Sequence, residues 1–224
     1  MRRFAYLLLF CAAAFPQVAE QANAGYKTKE GREGVARNLA DPARNDVQRP
    51  RDIVDAMDLK PGGVVADVGT GVGFMIPYLS HAVGDSGQVI AEDIQTDFLD
   101  KAKLKAQLAH LNNVKFVLGT DMDPNLPANT LEGALILDVY HHFDYPEVML
   151  AHIRDSLLSD GKLVIVEYYK LRGAIPGGDP DRALEHIRLD QDDMIREVQE
   201  NGFRLVSKRE LVPKSQHIDI FVKK

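Results

Sequence analysis

Residues 64–74 read VVADVGTGVGF, an apolar stretch that ends at an aspartate and a run of alternating glycines. The first five residues have the composition of a buried strand, and Gly69, Gly71 and Gly73 follow it directly. Glycine inside a regular element costs roughly 0.5–1 kcal/mol relative to alanine. Three glycines at this point therefore indicate a loop whose bare backbone is closely approached by a ligand.

Strand-like and helical segments alternate from residue 49 onward. The predicted strands are VVADV, QVIAEDI, VKFVLG, EGALILDVY, KLVIVEYY, FRLVSKREL and QHIDIFVKK. Helical segments lie between most of them, including a long helix predicted near residues 181–201. The last two strands have no helix between them, so they form a hairpin. The pattern predicts an α/β fold with a doubly wound, mostly parallel seven-stranded sheet and an antiparallel last strand.

The glycine loop and two aspartates lie at predicted strand ends. In an open α/β sheet, ligands bind at the carboxyl ends of the strands, where the winding reverses. Asp67 ends the first strand, and Asp93 ends the second strand twenty residues after Gly73. A carboxylate at that distance can accept two hydrogen bonds from a ribose diol, which favours a nucleoside-bearing cofactor.

Four motifs in the right order resemble those of class I S-adenosylmethionine-dependent methyltransferases. They are DVGTGVG, VIAEDI, EGALILDVYHHF and SLLSDGKLVIVEY, and the resemblance covers residues 49–224. The last motif departs from the family pattern, because Ser159-Asp160-Gly161 replaces the commoner Lys-Pro-Gly-Gly. The sequence is most similar to small, signal-bearing bacterial members with a D-V-Y-H-H segment. The resemblance implies a Rossmann-like methyltransferase fold with S-adenosylmethionine as cofactor.

The resemblance also implies which residues bind the cofactor. Asp67 and the three glycines would surround its methionine part, Asp93 would hold the ribose hydroxyls, and Ile94 would pack on the adenine. Thr120 or Asp121 would reach the adenine amino group, and Asp138 would lie below the sulfonium. Two alternatives stay open, since Asp121 also suits a simple turn before Pro124 and Asp138 also suits a cap on the following turn.

Three residues directly after the fourth predicted strand are the candidates for catalysis. Tyr140, His141 and His142 are expected at the mouth of the site, where a histidine near neutral pKa can act as a base. The alternative is that one histidine caps the loop and the other is solvated. No metal site is expected, because the remaining helical histidines, including His186, have no partner at ligand spacing.

The N-terminus has the features of a secretory signal. Residues 1–24 begin with two arginines, continue with an apolar run that holds the single cysteine, Cys11, and end in Ala22-Asn23-Ala24. This order predicts a cleavable signal peptide and an exported, periplasmic protein without a stable membrane span. The alternative is an uncleaved N-terminal anchor that holds the protein at the membrane. Residues 25–48 show no stable apolar period and are interpreted as a flexible lead-in or lid to a domain at 49–224.

Charge and motif details restrict the function. The chain of 224 residues has a formal net charge of −6 and no basic run, which disfavours nucleic acid as a partner. The expected reaction is methyl transfer to a small-molecule acceptor, with no signature of an oligomeric state. A non-catalytic cofactor-binding protein outside the cytoplasm is the first alternative. A nicotinamide-dependent oxidoreductase is the second, disfavoured because Phe74 occupies the third glycine position of the nicotinamide fingerprint.

Overall fold

The computed structural model describes residues 18–224; most of the predicted signal peptide lies outside the described residues. The strands are β1 (Val64–Val68), β2 (Gln88–Asp93), β3 (Val114–Leu118), β4 (Leu131–Leu137), β5 (Leu157–Tyr168), β6 (Phe203–Val212) and β7 (Gln216–Lys223). The α-helices are α1 (Lys29–Leu39), α2 (Arg44–Gln48), α3 (Pro50–Met57), α4 (Ile76–Val83), α5 (Thr96–Leu108), α6 (Pro146–Ser156), α7 (Arg182–His186) and α8 (Gln191–Glu200). Two 3₁₀ helices cover Ala22–Tyr26 and Tyr140–His142.

All seven strands form one sheet in the order β3-β2-β1-β4-β5-β7-β6. Strand β1 pairs in parallel with β2 on one side and β4 on the other, so the winding of the sheet reverses beside the glycine loop. Strand β7 lies between β5 and β6 and is antiparallel to both. The predicted fold class, including the antiparallel last strand, is confirmed.

The sheet is buried on both faces, as its nearly continuous apolar strands predict. Helices α3 and α4 cover one face with Ile53, Met57 and Leu79, and α5 packs beside them through Ala102. Helices α6 and α8 cover the opposite face; their buried residues there include Met149, Leu150, Ile153, Met194 and Val198. The parallel strand ends at one edge of the sheet are thereby held in fixed positions.

The prediction of one long helix near residues 181–201 is wrong. The segment forms two helices, α7 and α8, separated at Ile187–Asp190, where Ile187 has an extended backbone. Asp190 caps α8, because its side chain accepts a hydrogen bond of 2.9 Å from the backbone N–H of Asp193. An aspartate in this position competes with a continuous helix by satisfying the N–H groups of a new one.

Residues 25–48, interpreted from the sequence as a flexible lead-in or lid, contain helices α1 and α2. Helix α1 begins after a Thr28 cap and packs Ala36 and Leu39 against Val72 and Phe98, which belong to the glycine loop and α5. A salt bridge of 2.8 Å between Arg32 and Asp97 also joins α1 to α5. Residues 18–48, the N-terminal segment, therefore lie over the carboxyl ends of the strands. The motion of this segment as a lid stays a prediction.

The predicted signal boundary after Ala24 falls within the first 3₁₀ helix, whose described residues contact the loop after β4. Signal cleavage itself stays a prediction. Among residues 18–224, we find no helix with the length and hydropathy needed to cross a membrane.

Gly73 is required by the close approach of α5. Its φ is +80°, and an added Cβ would lie 3.1 Å from Ala102 Cβ and 2.9 Å from Ile76 Cδ1. We expect Gly73→Ala to lower the free energy of unfolding by roughly 2–4 kcal/mol, because backbone strain and overpacking add. Urea denaturation of the full chain measures the loss.

Gly173→Ala is the matched control, because Gly173 has a φ of +79° and nothing within 4 Å of the added carbon. This variant carries the backbone strain alone, of about 1 kcal/mol. Equal losses in the two variants would contradict the packing role given to Gly73.

Candidate functional site

The glycine loop is held by carboxylates at the ends of β1 and β2. Thr70 Oγ1 donates a hydrogen bond of 2.6 Å to Asp67, and the backbone N–H of Gly71 donates one of 2.8 Å to Asp93. Asp67 and Asp93 are both buried. Burial raises the pKa of each to about 6, although hydrogen bonds oppose the shift. The site therefore combines backbone amides with carboxyl groups in a poorly solvated position.

Asp93 and Ile94, the predicted contacts of the ribose and the adenine, lie at the carboxyl end of β2. Each oxygen of the Asp93 carboxylate accepts one backbone N–H, from Gly71 and Gln95 at 2.8 Å, and keeps a lone pair for a diol. Ile94 follows with 47% of its surface exposed, which is unusual for an isoleucine beside a buried strand. An apolar surface of this kind suits the face of a flat base.

Glu92 is a second buried carboxyl group at the end of β2, and sequence reasoning missed it. Its Oε2 accepts a hydrogen bond of 3.2 Å from the backbone N–H of Gly69. Burial, followed by the charge of Asp93, raises the pKa of Glu92 well above its ordinary value. Glu92 thus connects the first glycine of the loop to its own strand.

Thr120 and Asp121 lie on an exposed turn beyond β3. Thr120 Oγ1 accepts hydrogen bonds of 3.2 and 2.9 Å from the backbone N–H groups of Met122 and Asp123. These bonds match the alternative in which the segment is a simple turn. The contact of Thr120 or Asp121 with an adenine amino group stays a prediction.

Asp138 is the residue directly after β4, and it has a left-handed backbone with φ of 55°. Two amide side chains donate to it at 2.6 Å, from Gln48 of α2 and Gln216 of β7. The Arg44 guanidinium lies 3.7 Å away. Burial and then the charge of Glu167 raise the pKa of Asp138 to about 6. Asp138 is therefore the meeting point of the N-terminal segment, β4 and the C-terminal hairpin.

The expectation that Tyr140 faces the mouth of the site is wrong. Tyr140 is only 2% exposed, and its hydroxyl donates a hydrogen bond of 2.6 Å to Glu197 of α8, which also pairs with Arg188. Burial and the Glu197 carboxylate raise the pKa of the phenol well above its ordinary value. The side chain is part of the core beneath α8.

His141 is buried at the mouth and is oriented by the buried carboxylate of Glu167. Its Nδ1 lies 2.7 Å from Glu167 Oε2, and its Nε2 has no hydrogen-bond partner among residues 18–224. Burial alone would raise the pKa of Glu167, but the charge and hydrogen bond of His141 hold it below the ordinary value. An ionised Glu167 accepts the Nδ1–H of His141, so in the neutral ring the lone pair is on Nε2.

His142 lies beside His141 and is contacted by the N-terminal segment. The distance from its Nδ1 to Asn23 Oδ1 is 2.9 Å, and that from its Nε2 to the Tyr26 hydroxyl is 3.4 Å. Burial, followed by the charges of His141 and His186, lowers the pKa of His142 well below its ordinary value. His142 is therefore a neutral imidazole at physiological pH.

The structure also brings His186 to this position, contrary to the expectation that it has no partner. Its ring centre lies 4.7 Å from that of His141 and 5.2 Å from that of His142. Burial lowers the pKa of His186 to about 4. Because α7 ends at His186 and the chain turns there, the sequence spacing hides this contact.

The chain is similar to known methyltransferases in sequence and in fold. A family model described as a methyltransferase domain matches residues 66–165. A solved structure of an S-adenosylmethionine-dependent methyltransferase from Aquifex aeolicus covers 85% of this chain and 98% of its own, with 26% identity and a TM-score of 0.77. Together these matches support a class I S-adenosylmethionine-dependent methyltransferase.

Curated relatives of this methyltransferase match over part of their length. Protein-L-isoaspartate O-methyltransferase of Methanococcus aeolicus is 36% identical over 50% of this chain and 49% of the relative. The ubiquinone/menaquinone biosynthesis C-methyltransferase UbiE of a Shewanella species is 26% identical over 54% of this chain and 48% of the relative. The chain thus spans about half the length of these two relatives.

The residues present fit S-adenosylmethionine, the cofactor of this family. An added Cβ at Gly71 would lie 3.0 Å from Leu39 at a φ of +56°, so a larger residue at this point of the loop would be strained. Asp67, Asp93 and Asp138 supply negative charge for a ligand that carries a sulfonium and an ammonium group. We therefore assign the loop, Asp93 and Ile94 as the residues that would hold it.

Several site residues of the methyltransferase had no motif to reveal them. They come from the N-terminal segment, α7 and β7, far from the motifs in sequence: Asn23, Tyr26, Arg44, Gln48, His186 and Gln216. In the sequence, these residues are distinguished only as polar residues in stretches that contain few apolar residues.

Tyr140→Phe tests the structural role of the phenol. Removing a hydrogen bond to a charged partner is expected to lower the free energy of unfolding by about 1.5–3 kcal/mol. Cofactor affinity is expected to stay unchanged, because the hydroxyl points to Glu197 and away from the glycine loop. Chemical denaturation and calorimetric titration measure the two quantities. A loss of cofactor affinity at unchanged stability would contradict the structural role and indicate that Tyr140 contributes to the active site.

Proposed function

We propose that this protein transfers the methyl group of S-adenosylmethionine to a small-molecule acceptor bound beside His141 and His142. The observation that carries the proposal is that residues from the N-terminal segment cover the strand ends. Leu39 lies over Gly71, Gln48 contacts Asp138, and Tyr26 contacts His142. A site covered in this way suits a small acceptor better than a macromolecular surface.

The chemistry asks little of the protein beyond alignment and exclusion of water. S-adenosylmethionine supplies a methyl group on a sulfonium, which the acceptor attacks while the sulfur retains the electron pair. The covering segment keeps water from the strand ends, and the carboxyl groups fix the position of the cationic cofactor. Effective alignment of this kind can contribute about 7–11 kcal/mol to the lowering of a barrier.

His141 is the proposed contact of the acceptor. Glu167 holds its Nδ1 at 2.7 Å, so the free Nε2 lone pair can accept a proton from an acceptor hydroxyl or N–H group. His142, which is neutral, adds a second acceptor of hydrogen bonds. This pair supports an oxygen or nitrogen nucleophile, which must lose a proton when it is methylated.

The proposed location is outside the cytoplasm, on the strength of the N-terminal signal features. The alternative is attachment to the membrane by an uncleaved N-terminus. The activities named for the two curated relatives, protein-L-isoaspartate O-methylation and C-methylation in ubiquinone/menaquinone biosynthesis, are not transferred to this chain, because the matches cover about half of each relative.

Asp93→Ala tests the proposed cofactor site. Loss of a diol–carboxylate pair of about 1.5–3 kcal/mol lowers the affinity roughly tenfold or more. Calorimetric titration with S-adenosylhomocysteine, the demethylated product, gives the affinity. Transfer of labelled methyl from S-adenosylmethionine to a panel of small phenols, amines and heteroaromatic compounds gives the activity.

Asp100→Ala is the control, because Asp100 is exposed on α5, outside the glycine loop. It is expected to bind and transfer as the unaltered protein does. Binding of the cofactor without methyl transfer to any compound of the panel would support the non-catalytic alternative. Unchanged affinity in Asp93→Ala would remove Asp93 from the site.

Cofactor affinity is expected to fall as the pH is lowered through about 6. The pKa of Asp93 in the free protein is raised by burial to about 6, and a diol donates more strongly to the ionised form than to the neutral acid. Affinity should be constant above about pH 7, fall as the pH passes through about 6, and level off near the affinity of Asp93→Ala. Titration of S-adenosylhomocysteine across this range measures it. Asp93→Asn should show a shallower decline, and an affinity that rises on acidification would contradict the assignment.

A further inference from the structure

We infer that His141, His142 and His186 form a binding site for a divalent transition-metal ion of the zinc type. One potential ligand atom from each of the three histidines lies within 4.8 Å of the other two. Tetrahedral zinc with Zn–N bonds of 2.0–2.1 Å needs nitrogen separations of about 3.3 Å, so modest side-chain rotations close the site. Two histidines come from the 3₁₀ helix after β4 and the third from the end of α7.

The hydrogen bonds of His141 are those of a metal ligand. Metal-binding histidines almost always donate the other ring N–H to a carboxylate or carbonyl, which fixes the tautomer. Glu167 does this for His141, whose buried Nε2 has no hydrogen-bond partner in the part of the chain that the structure describes. An unpartnered buried ring nitrogen costs free energy, and a metal ion beside it would remove that cost.

His142 follows the same pattern with a neutral partner. Asn23 Oδ1 has no proton to give, so His142 Nδ1 donates to it at 2.9 Å and Nε2 keeps its lone pair. The Tyr26 hydroxyl, 3.4 Å from Nε2, is longer than an ordinary O–H hydrogen bond and competes weakly. The Nε2 atoms of His141 and His142 therefore each carry a lone pair in the neutral ring that could bind the ion.

Charges of both signs surround the three histidines. Arg182, one turn before His186, opposes a bound cation. Glu167 and Asp138 act in the other direction, since Glu167 interacts with His186 and Asp138 with His141. The proposed ligands are three imidazoles and include no thiolate, which disfavours metals that prefer sulfur; Cys11 is the one cysteine in the sequence. Three imidazoles suit zinc and its neighbours in the first transition series.

Three protein ligands leave the fourth position of a tetrahedral ion open, which is the arrangement of catalytic zinc sites. In the methyltransferase this position would take the nucleophilic oxygen or nitrogen of the acceptor. With the ion bound, His141 Nε2 would be a ligand and no longer the base; the acceptor on the ion would lose its proton to solvent and keep a lone pair for the methyl carbon. This role of the ion rests on the proposed function, whereas the ion-binding site itself does not.

The test is a titration of the full-length protein with ZnCl₂ after removal of bound metal with a chelator. We expect one zinc ion per chain, measured with a competing chromophoric chelator, and a tetrahedral visible spectrum when Co²⁺ replaces zinc. Glu167→Gln should lower zinc affinity about 10–100-fold, the usual effect of losing an outer carboxylate, and His186→Asn should lower it further. His186→Cys should restore binding, because a thiolate also ligates zinc.

His152→Asn is the matched control. His152 lies on α6, exposed, with its Nδ1 3.7 Å from Asp123 and outside the cluster. Its zinc affinity should equal that of the unaltered protein, and thermal melting verifies that every variant is folded. Less than one zinc per chain in the unaltered protein, or unchanged affinity in His186→Asn, overturns the inference. Binding of S-adenosylhomocysteine by the metal-free protein is measured in parallel, so a failed metal site and a failed methyltransferase assignment give different results.

Discussion

Buried carboxyl groups at the ends of adjacent parallel strands are the constraint on which this structure depends. Asp67, Asp93, Asp138 and Glu167 follow from β1, β2, β4 and β5, and three of the four have a pKa raised to about 6 by burial. Such groups are costly unless they are neutralised or hydrogen-bonded. The glycine loop donates the Gly71 N–H to Asp93 and the Thr70 hydroxyl to Asp67, and a cationic ligand would add positive charge beside these groups. These groups at one edge of the sheet are therefore stabilised by positively charged or hydrogen-bond-donating partners.

The hydrogen-bond donors to one of these carboxyl groups come from segments near the two ends of the chain. Asp138 receives one amide from Gln48 near the N-terminus and one from Gln216 in the last strand. The hairpin that identifies the fold therefore also contributes to the site, because β7 must lie beside β5 to bring Gln216 to Asp138. Segments that look peripheral in the sequence are part of the same electrostatic arrangement.

The sheet, its antiparallel last strand and the placement of the glycine loop could be predicted from local alternation and motif order. The contacts around His141 could not. In a 3₁₀ turn successive side chains point about 120° apart, so Tyr140 enters the core while the adjacent histidine faces the site. Helix α1 escaped prediction because its apolar stripe is narrow and is defined by Ala36 and Leu39 against the glycine loop. His186 escaped because the chain breaks at Ile187 and turns it toward residues forty positions earlier.

The contact between Asn23 and His142 has a consequence for protein maturation. A cut after Ala24 would remove Asn23 and leave Gly25 as a new amino terminus next to Tyr26, whose hydroxyl contacts His142. An α-amino group has a pKa near 7.7–8.0, so this terminus would add a titrating positive charge close to the histidines. The precursor and the processed protein would then differ in the proton and charge balance of the site. Cleavage at the predicted site would therefore change the hydrogen bonding and the charge around His142.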